Sequence, residues 1–225
     1  MPRRKPSDRA PDATERETPE QPTAAPVSVA GTLRIIGGTN RGRLIRYTGD
    51  PRTRPMKDRV REAVFNLLGP DVKQKHVVDL FAGTGALGLE ALSRGSLAAT
   101  FFERHFPTAD GISENIRALG LEACCQVIPA NTLVQFRKPA PFVTPDPVIP
   151  WLVFCSPPYD LYVQQEEDLL RLLTTIVTRA PQESCVVVES DVRFDLSHLP
   201  DAEAWRTRDY DPAIVSIWRK TSPEE

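Results

Sequence analysis

The sequence predicts an α/β protein built on a doubly wound, mostly parallel sheet, with a small β-hairpin ahead of it. Three observations carry this. From His76 onward, short apolar, β-branched runs alternate with helical patterns, as in a sheet whose strands are joined by helical crossovers. The run Val77-Val78-Asp79 passes through Gly83-Thr84-Gly85 into a small-residue helical pattern, Ala86 to Arg94, stopped by Gly95, which is a strand, a glycine loop and a helix. Further upstream, Leu33, Ile35 and Ile36 precede Gly37-Gly38, and Leu44, Ile45 and Tyr47 follow Gly42, which predicts two short strands around a glycine-rich turn.

In order along the chain, residues 1–31 are rich in proline and mixed charge and nearly devoid of large apolar side chains. They cannot bury enough surface to offset ordering entropy, so a disordered tail is expected. Residues 32–70 form the hairpin and a helix capped by Asp58, with Val60, Ala63, Val64, Leu67 and Leu68 on its apolar face and Gly69-Pro70 at its end. The main domain spans 71–220. Its expected strands are His76–Asp79, Ala98–Glu103, Ala123–Ile128, Trp151–Cys155 and Cys185–Glu189, with edge strands near Ala204–Arg208 and Ala213–Arg219. Helices are expected at Ala86–Arg94, about Ala109–Leu119 closed by Gly120, Thr132–Phe136, and Gln165–Arg179 with Leu169, Leu170, Leu172, Leu173 and Ile176 inward. Lys138 to Pro150 holds five prolines and reads as an inserted loop.

At 225 residues the chain accommodates one good-sized domain, and 40% hydrophobic with 26% charged residues is ordinary for a globular protein. No apolar run reaches membrane-span length and the N-terminus lacks an apolar signal core, so no membrane partner and a cytoplasmic location are expected. Cys124, Cys125, Cys155 and Cys185 have no C-x-x-C spacing, and His76, His105 and His198 form no ligand pattern. Free, mostly buried thiols, no metal and a monomer are expected.

Charge is lopsided along the chain. The total is −2, yet Leu33 to Arg61 carries nine bases against Asp50 and Asp58, and eight of the nine are arginine. Arginine suits bidentate phosphate contact and stacking on bases. A solvated basic face is the plainer reading of such a run; placed on a hairpin before a cofactor domain, it points to nucleic acid. The expected contact residues are Arg34, Arg41, Arg43, Arg54, Lys57, Arg59 and Arg61.

The glycine loop is a candidate cofactor site. Gly83, Gly85 and Gly88 satisfy G-x-G-x-x-G, but Asp79 lies at the strand end four residues earlier, where an anion repels a pyrophosphate and suits an amino group. S-adenosylmethionine carries an ammonium and a sulfonium and no phosphate. Glu103, at the end of the next strand, is placed to accept both ribose hydroxyls. The fourth strand runs into Ser156-Pro157-Pro158-Tyr159. An oxygen of Ser156 and the Pro157 carbonyl can accept both hydrogens of a planar amine, and Tyr159 offers a ring for a flipped-out base. A proline-rich turn beside two solvated acids is the alternative.

Leu33-Arg-Ile-Ile-Gly-Gly38, Arg41-Gly-Arg43, Arg54-Pro55, Asp58 to Asn66, Asp79 to Gly95 and Pro157-Pro-Tyr159 together resemble the RsmD-type family of small-subunit ribosomal RNA (guanine-N2) methyltransferases. The resemblance covers about Leu33 to Lys220 and is strongest through Gly95. It implies a seven-stranded, Rossmann-like methyltransferase sheet with an N-terminal hairpin, and S-adenosylmethionine as cofactor. It also implies ribosomal RNA or an assembling small subunit as partner. The implied cofactor residues are Asp79, Phe81, Gly83, Thr84, Gly85, Leu87, Glu103, Arg104, Asn131 and Ser156, with Ser156, Pro157, Pro158 and Tyr159 holding the target. Ser156 stands where the family usually has Asp, Met56 where it has Thr, and Asn131 where many members have an acid. Ser-Pro-Pro-Tyr also occurs in cytosine-N4 DNA methyltransferases, and that activity, like a non-catalytic RNA-binding relative, is a further reading of the chain.

Overall fold

The computed structural model describes residues 31–50, 55–137 and 148–221. The expected N-terminal tail, except Gly31, which opens a strand, and most of the proline-rich loop lie outside them. β1 (Gly31–Arg34) and β2 (Leu44–Tyr47) pair antiparallel as a separate two-stranded sheet. α1 (Asp58–Leu68) follows. The main sheet is built by β3 (His76–Asp79), β4 (Ala98–Phe102), β5 (Cys125–Ile128), β6 (Trp151–Cys155), β7 (Cys185–Ser190), β8 (Arg206–Tyr210) and β9 (Ala213–Arg219), joined by α2 (Ala86–Ser93), α3 (Phe106–Leu119), α4 (Thr132–Phe136), α5 (Asp160–Gln164) and α6 (Glu166–Arg179).

The seven strands lie in the order β5-β4-β3-β6-β7-β9-β8, parallel from β5 to β7 and antiparallel at β9 and β8. The order reverses between β3 and β6, so a crevice opens over the C-terminal ends of these strands. β6 and β7 are buried along their whole length, which is why β6 and the Cys185–Val188 part of β7 read as unbroken apolar runs. Alternate residues feed two cores. Leu152 and Phe154 join the hairpin's Ile35 and Ile45 and α1's Val60, Val64, Phe65 and Leu68 on one face. Trp151, Val153 and Cys155 join α6's Leu169, Leu172, Leu173 and Ile176 on the other. Every residue of α2 is buried, and a Cβ at Gly88 would come within 2.3 Å of the Phe101 ring, so the helix lies against β4 at a distance only glycine allows.

Several boundaries differ from expectation for local reasons. α3 starts at Phe106, three residues early, because Pro107 fits the first turn, where its missing N–H is no loss. Glu122–Cys124 form a 3₁₀ turn and delay β5 to Cys125. Asp58 is inside α1, after Lys57 at the cap position; its carboxylate accepts from Arg61 Nη2 at 2.9 Å instead of capping the helix. α5 is an additional short helix whose one buried residue is Tyr162. All four cysteines are free; burial pushes Cys155 up to about 12 and Cys185 up to about 11.

The hairpin turn is fastened to the C-terminal end of α2. Glu90, fully buried, accepts from the Ile36 and Gly37 peptide N–H groups at 2.7 and 2.8 Å, and from Arg94 Nε at 2.7 Å. Ser93 accepts from the Asn40 N–H at 2.9 Å and donates to the Gly37 carbonyl at 2.5 Å, while its own carbonyl accepts from the Thr39 N–H at 2.7 Å. Asn115 of α3 pairs with both peptide groups of Arg46, like one residue of an added strand. Leu33-Arg-Ile-Ile-Gly-Gly38 and Glu90-Ala-Leu-Ser-Arg94 are therefore two halves of one joint.

Candidate active site

A cavity of about 400 Å³ lies over the crevice between β3 and β6. Each strand delivers its C-terminal residues there: Phe81 and Gly83 after β3, Glu103 and Arg104 after β4, Asn131 after β5, Ser156 to Tyr159 after β6, and Glu189 near the end of β7. The opposite wall is Met56, Lys57 and Val60 at the start of α1, with Asp50, which lies 3.1 Å from His105 Nδ1.

Glu103 is held by the two segments it joins. Its Oε2 accepts from the Gly83 N–H at 2.9 Å and its Oε1 from the His105 N–H at 2.8 Å. The carboxylate is fixed, and each oxygen keeps a lone pair for a diol. Asn131 Oδ1 accepts from the N–H groups of Leu133 and Val134 at 3.0 and 3.4 Å, capping α4, so this oxygen is committed to the helix.

Asp79 lies beneath the loop and not on the cavity wall. It is 1% exposed and neither carboxylate oxygen has a hydrogen-bond partner. Burial pushes its pKa up to about 7; the Gly88 and Phe81 peptide groups oppose this, and the Glu103 charge adds to it. A buried carboxylate without a partner is the group that a bound cation would satisfy, so this donor set fits an ammonium-bearing ligand and does not fit a pyrophosphate. Thr84, Gly85 and Leu87 also lie off the cavity, where they shape the turn into α2; Thr84 and Leu87 are buried. Of the ten expected cofactor residues, Phe81, Gly83, Glu103, Arg104, Asn131 and Ser156 line the cavity, as do all four expected target-holding residues.

Glu189 went unnoticed in the sequence. It is 8% exposed, lines the cavity, and accepts hydrogen bonds from the Ser156 hydroxyl and, at 2.9 Å, from the Tyr159 hydroxyl. Pairing of Cys155 with Val188 puts Ser156 and Glu189 one residue further along, side by side. The signal was an acid at the end of a buried strand next to the strand carrying Ser156.

The basic residues separate into three groups. Arg34, Arg41, Arg43, Lys57 and Arg59 are exposed. Arg54 lies outside the described residues. Arg61 is corrected: at 1% exposure, with its Nη2 donating to the Arg34 carbonyl at 2.7 Å and to Asp58, its guanidinium faces the interior and not a polyanion. Among those that are described, only Lys57 lines the cavity. Arg43 Nη2 donates to the Ala118 carbonyl at 2.6 Å, near the far end of α3, a helix about 20 Å long. Replacing Arg41 and Arg43 with Ala is expected to weaken RNA binding roughly tenfold at low salt and to reduce the slope of log K against log salt by about two, leaving cofactor affinity unchanged. Filter binding across a salt series checks this, and an unchanged slope rejects both residues as phosphate contacts.

A family model described as "Conserved hypothetical protein 95" matches residues 33–219. The chain belongs to this family. "Ribosomal RNA small subunit methyltransferase D" of Escherichia coli (strain K12) is 35% identical to it over 173 residues, 77% of this chain and 82% of that protein. "Putative rRNA methyltransferase YlbH" of Bacillus subtilis is 31% identical over 191 residues, 84% of this chain and 99% of the relative. Among solved structures, "Putative methyltransferase yhhF from Escherichia coli" superposes with a TM-score of 0.69 at 29% identity, covering 86% of this chain and 100% of that one. The RsmD-type resemblance and the methyltransferase sheet expected from the sequence are thus borne out. Among the described residues, no helix is long and apolar enough to cross a membrane.

Proposed function

We propose that the protein methylates the exocyclic N2 amine of a guanine in small-subunit ribosomal RNA, working in the cytoplasm. The coarser part of this reading rests on the family: the protein is an S-adenosylmethionine-dependent rRNA methyltransferase. The choice of an exocyclic amine rests on one observation, that Ser156-Pro157-Pro158-Tyr159 and Glu103 open onto the same cavity at the switch point of the sheet.

The cofactor supplies an electrophilic methyl group on its sulfonium. Glu103, fixed by the Gly83 and His105 peptide groups, would hold the ribose hydroxyls, and Asp79, buried beneath the glycine loop, would in its ionised form favour the ammonium electrostatically. Ser156 donates its proton to Glu189, so its oxygen lone pairs are left to accept from the target amine alongside the Pro157 carbonyl. Tyr159, tied by its hydroxyl to Glu189, presents its ring to the base. Holding both amine hydrogens directs the nitrogen lone pair, so most of the rate enhancement comes from alignment in a site that excludes water.

Mass mapping of small-subunit rRNA nucleosides with and without the gene tests this reading. One N2-methylguanosine is expected to disappear in the deletion strain and to return on complementation. Identical maps reject the reading, and loss of a methylated cytosine or adenine instead redirects it.

A further inference from the structure

We propose that Glu189 reads the target base, accepting its N1–H while the adjacent Ser156 oxygen accepts from N2. The inference rests on the guanine-N2 reading of the cavity and adds the residue that makes it selective. Three observations carry it. Glu189 is an acid on the cavity wall, 8% exposed, with its side chain turned to Ser156 and Tyr159 and not to a basic residue. Strand register fixes it beside Ser156, so the two oxygens form a side-by-side acceptor pair. Its anchorage is independent of its charge, because Tyr162 donates to the Glu189 backbone carbonyl at 2.9 Å and leaves the carboxylate alone.

The chemistry of the pair selects the base edge. An ionised carboxylate has about four acceptor positions, of which the Ser156 and Tyr159 hydroxyls take two. Guanine presents N1–H and N2–H₂ as neighbouring in-plane donors. Adenine beside its N6 amine, and cytosine beside its N4 amine, present a ring-nitrogen lone pair instead, which the carboxylate would face at close range. A buried acceptor left without its donor is a strong discriminator, stronger than a missing methylene. Serine at 156 thus leaves the pocket with a carboxylate, supplied from β7 instead of from the residue before Pro157.

The test uses small-subunit rRNA from the deletion strain, with the mapped guanine replaced by 2-aminopurine through splinted ligation. 2-Aminopurine keeps the 2-amine and has a lone pair at N1. Wild-type protein is expected to prefer guanine roughly 10- to 100-fold in kcat/KM. Glu189→Gln offers an N–H to N1, so transfer to guanine should fall by about the same factor while transfer to 2-aminopurine holds or rises, with cofactor affinity by calorimetry within about twofold. Glu189→Asp keeps the charge and should keep the preference for guanine at a lower rate. Wild type that uses both bases equally overturns the proposal whatever the variants do, as does Glu189→Gln that lowers both substrates by one factor or neither. Wild type that leaves the guanine RNA itself unmethylated overturns the guanine-N2 reading along with it, so the two failures are distinct.

Discussion

Gly38→Ala is expected to lower the unfolding free energy by about 3–5 kcal/mol, whereas Gly42→Ala, in the same turn, should cost only about 1 kcal/mol. Both glycines have positive φ, +75° and +86°, so both substitutions carry the left-handed penalty of a side chain. Their surroundings differ. A Cβ at Gly38 would lie 1.7 Å from the Ser93 carbonyl oxygen, a backbone atom that cannot swing aside, and nothing lies within 4 Å of one at Gly42. Relief at position 38 means lifting the turn off α2, which breaks the bonds from Thr39 and Asn40 to Ser93 and exposes the Glu90 carboxylate that Ile36 and Gly37 satisfy. Urea unfolding followed by tryptophan fluorescence compares the two; equal losses would mean that the joint with α2 contributes little.

The second large effect is expected at Asp79. Its folded pKa of about 7 lies far above the ordinary 3.8, so the folded chain keeps a proton that the unfolded chain has released. Between about pH 4 and 7 the unfolded state binds fewer protons, and stability falls as pH rises through that window and stays lower above it. Asp79→Asn removes the titration. It should flatten the profile and stabilise the cofactor-free protein at pH 8 by roughly 2–4 kcal/mol, less whatever the amide itself loses by burial. Cofactor binding should respond in the opposite sense: tighter for wild type at pH 8 than at pH 6, weaker and insensitive to pH for the variant. Chemical unfolding and calorimetry at the two pH values decide it. A wild type equally stable at pH 5 and pH 8 would show that the carboxyl finds solvent or partners in solution.

How much was legible depended on whether the cause was local. β3 and β6 were read to the residue because their apolar runs are bounded by charge, proline and glycine. The expected start of α3 near Ala109 falls three residues late, because Pro107 fits the first turn of a helix, where its missing N–H is no loss. Arg61 was counted with its neighbours by charge alone, although its spacing to Val64, Phe65 and Leu68 placed it on the buried face of α1. In the candidate site, Glu103 and the Ser156–Tyr159 segment carried their meaning in adjacent residues. Glu189 did not: its role comes from the pairing of β6 with β7, across 33 residues of chain. Glu90 and Ser93 likewise stood inside an apolar helix as apparent exceptions, and only the hairpin folded over them explains them.

That joint limits how the protein can be cut or recombined. The hairpin and α1 do not sit on a finished sheet; their Ile35, Ile45, Val60, Val64, Phe65 and Leu68 are one side of the core whose other side is Val77, Leu89, Phe101 and Phe154. A fragment beginning after α1 would bare that whole apolar face, and grafting the arginine hairpin onto another methyltransferase sheet would transplant half a core and a carboxylate-binding turn with no Glu90 to receive it. The basic hairpin and the glycine-loop helix therefore fold as one unit, and a chimera that keeps this core intact must place its crossover outside the span from Gly31 to Ser93.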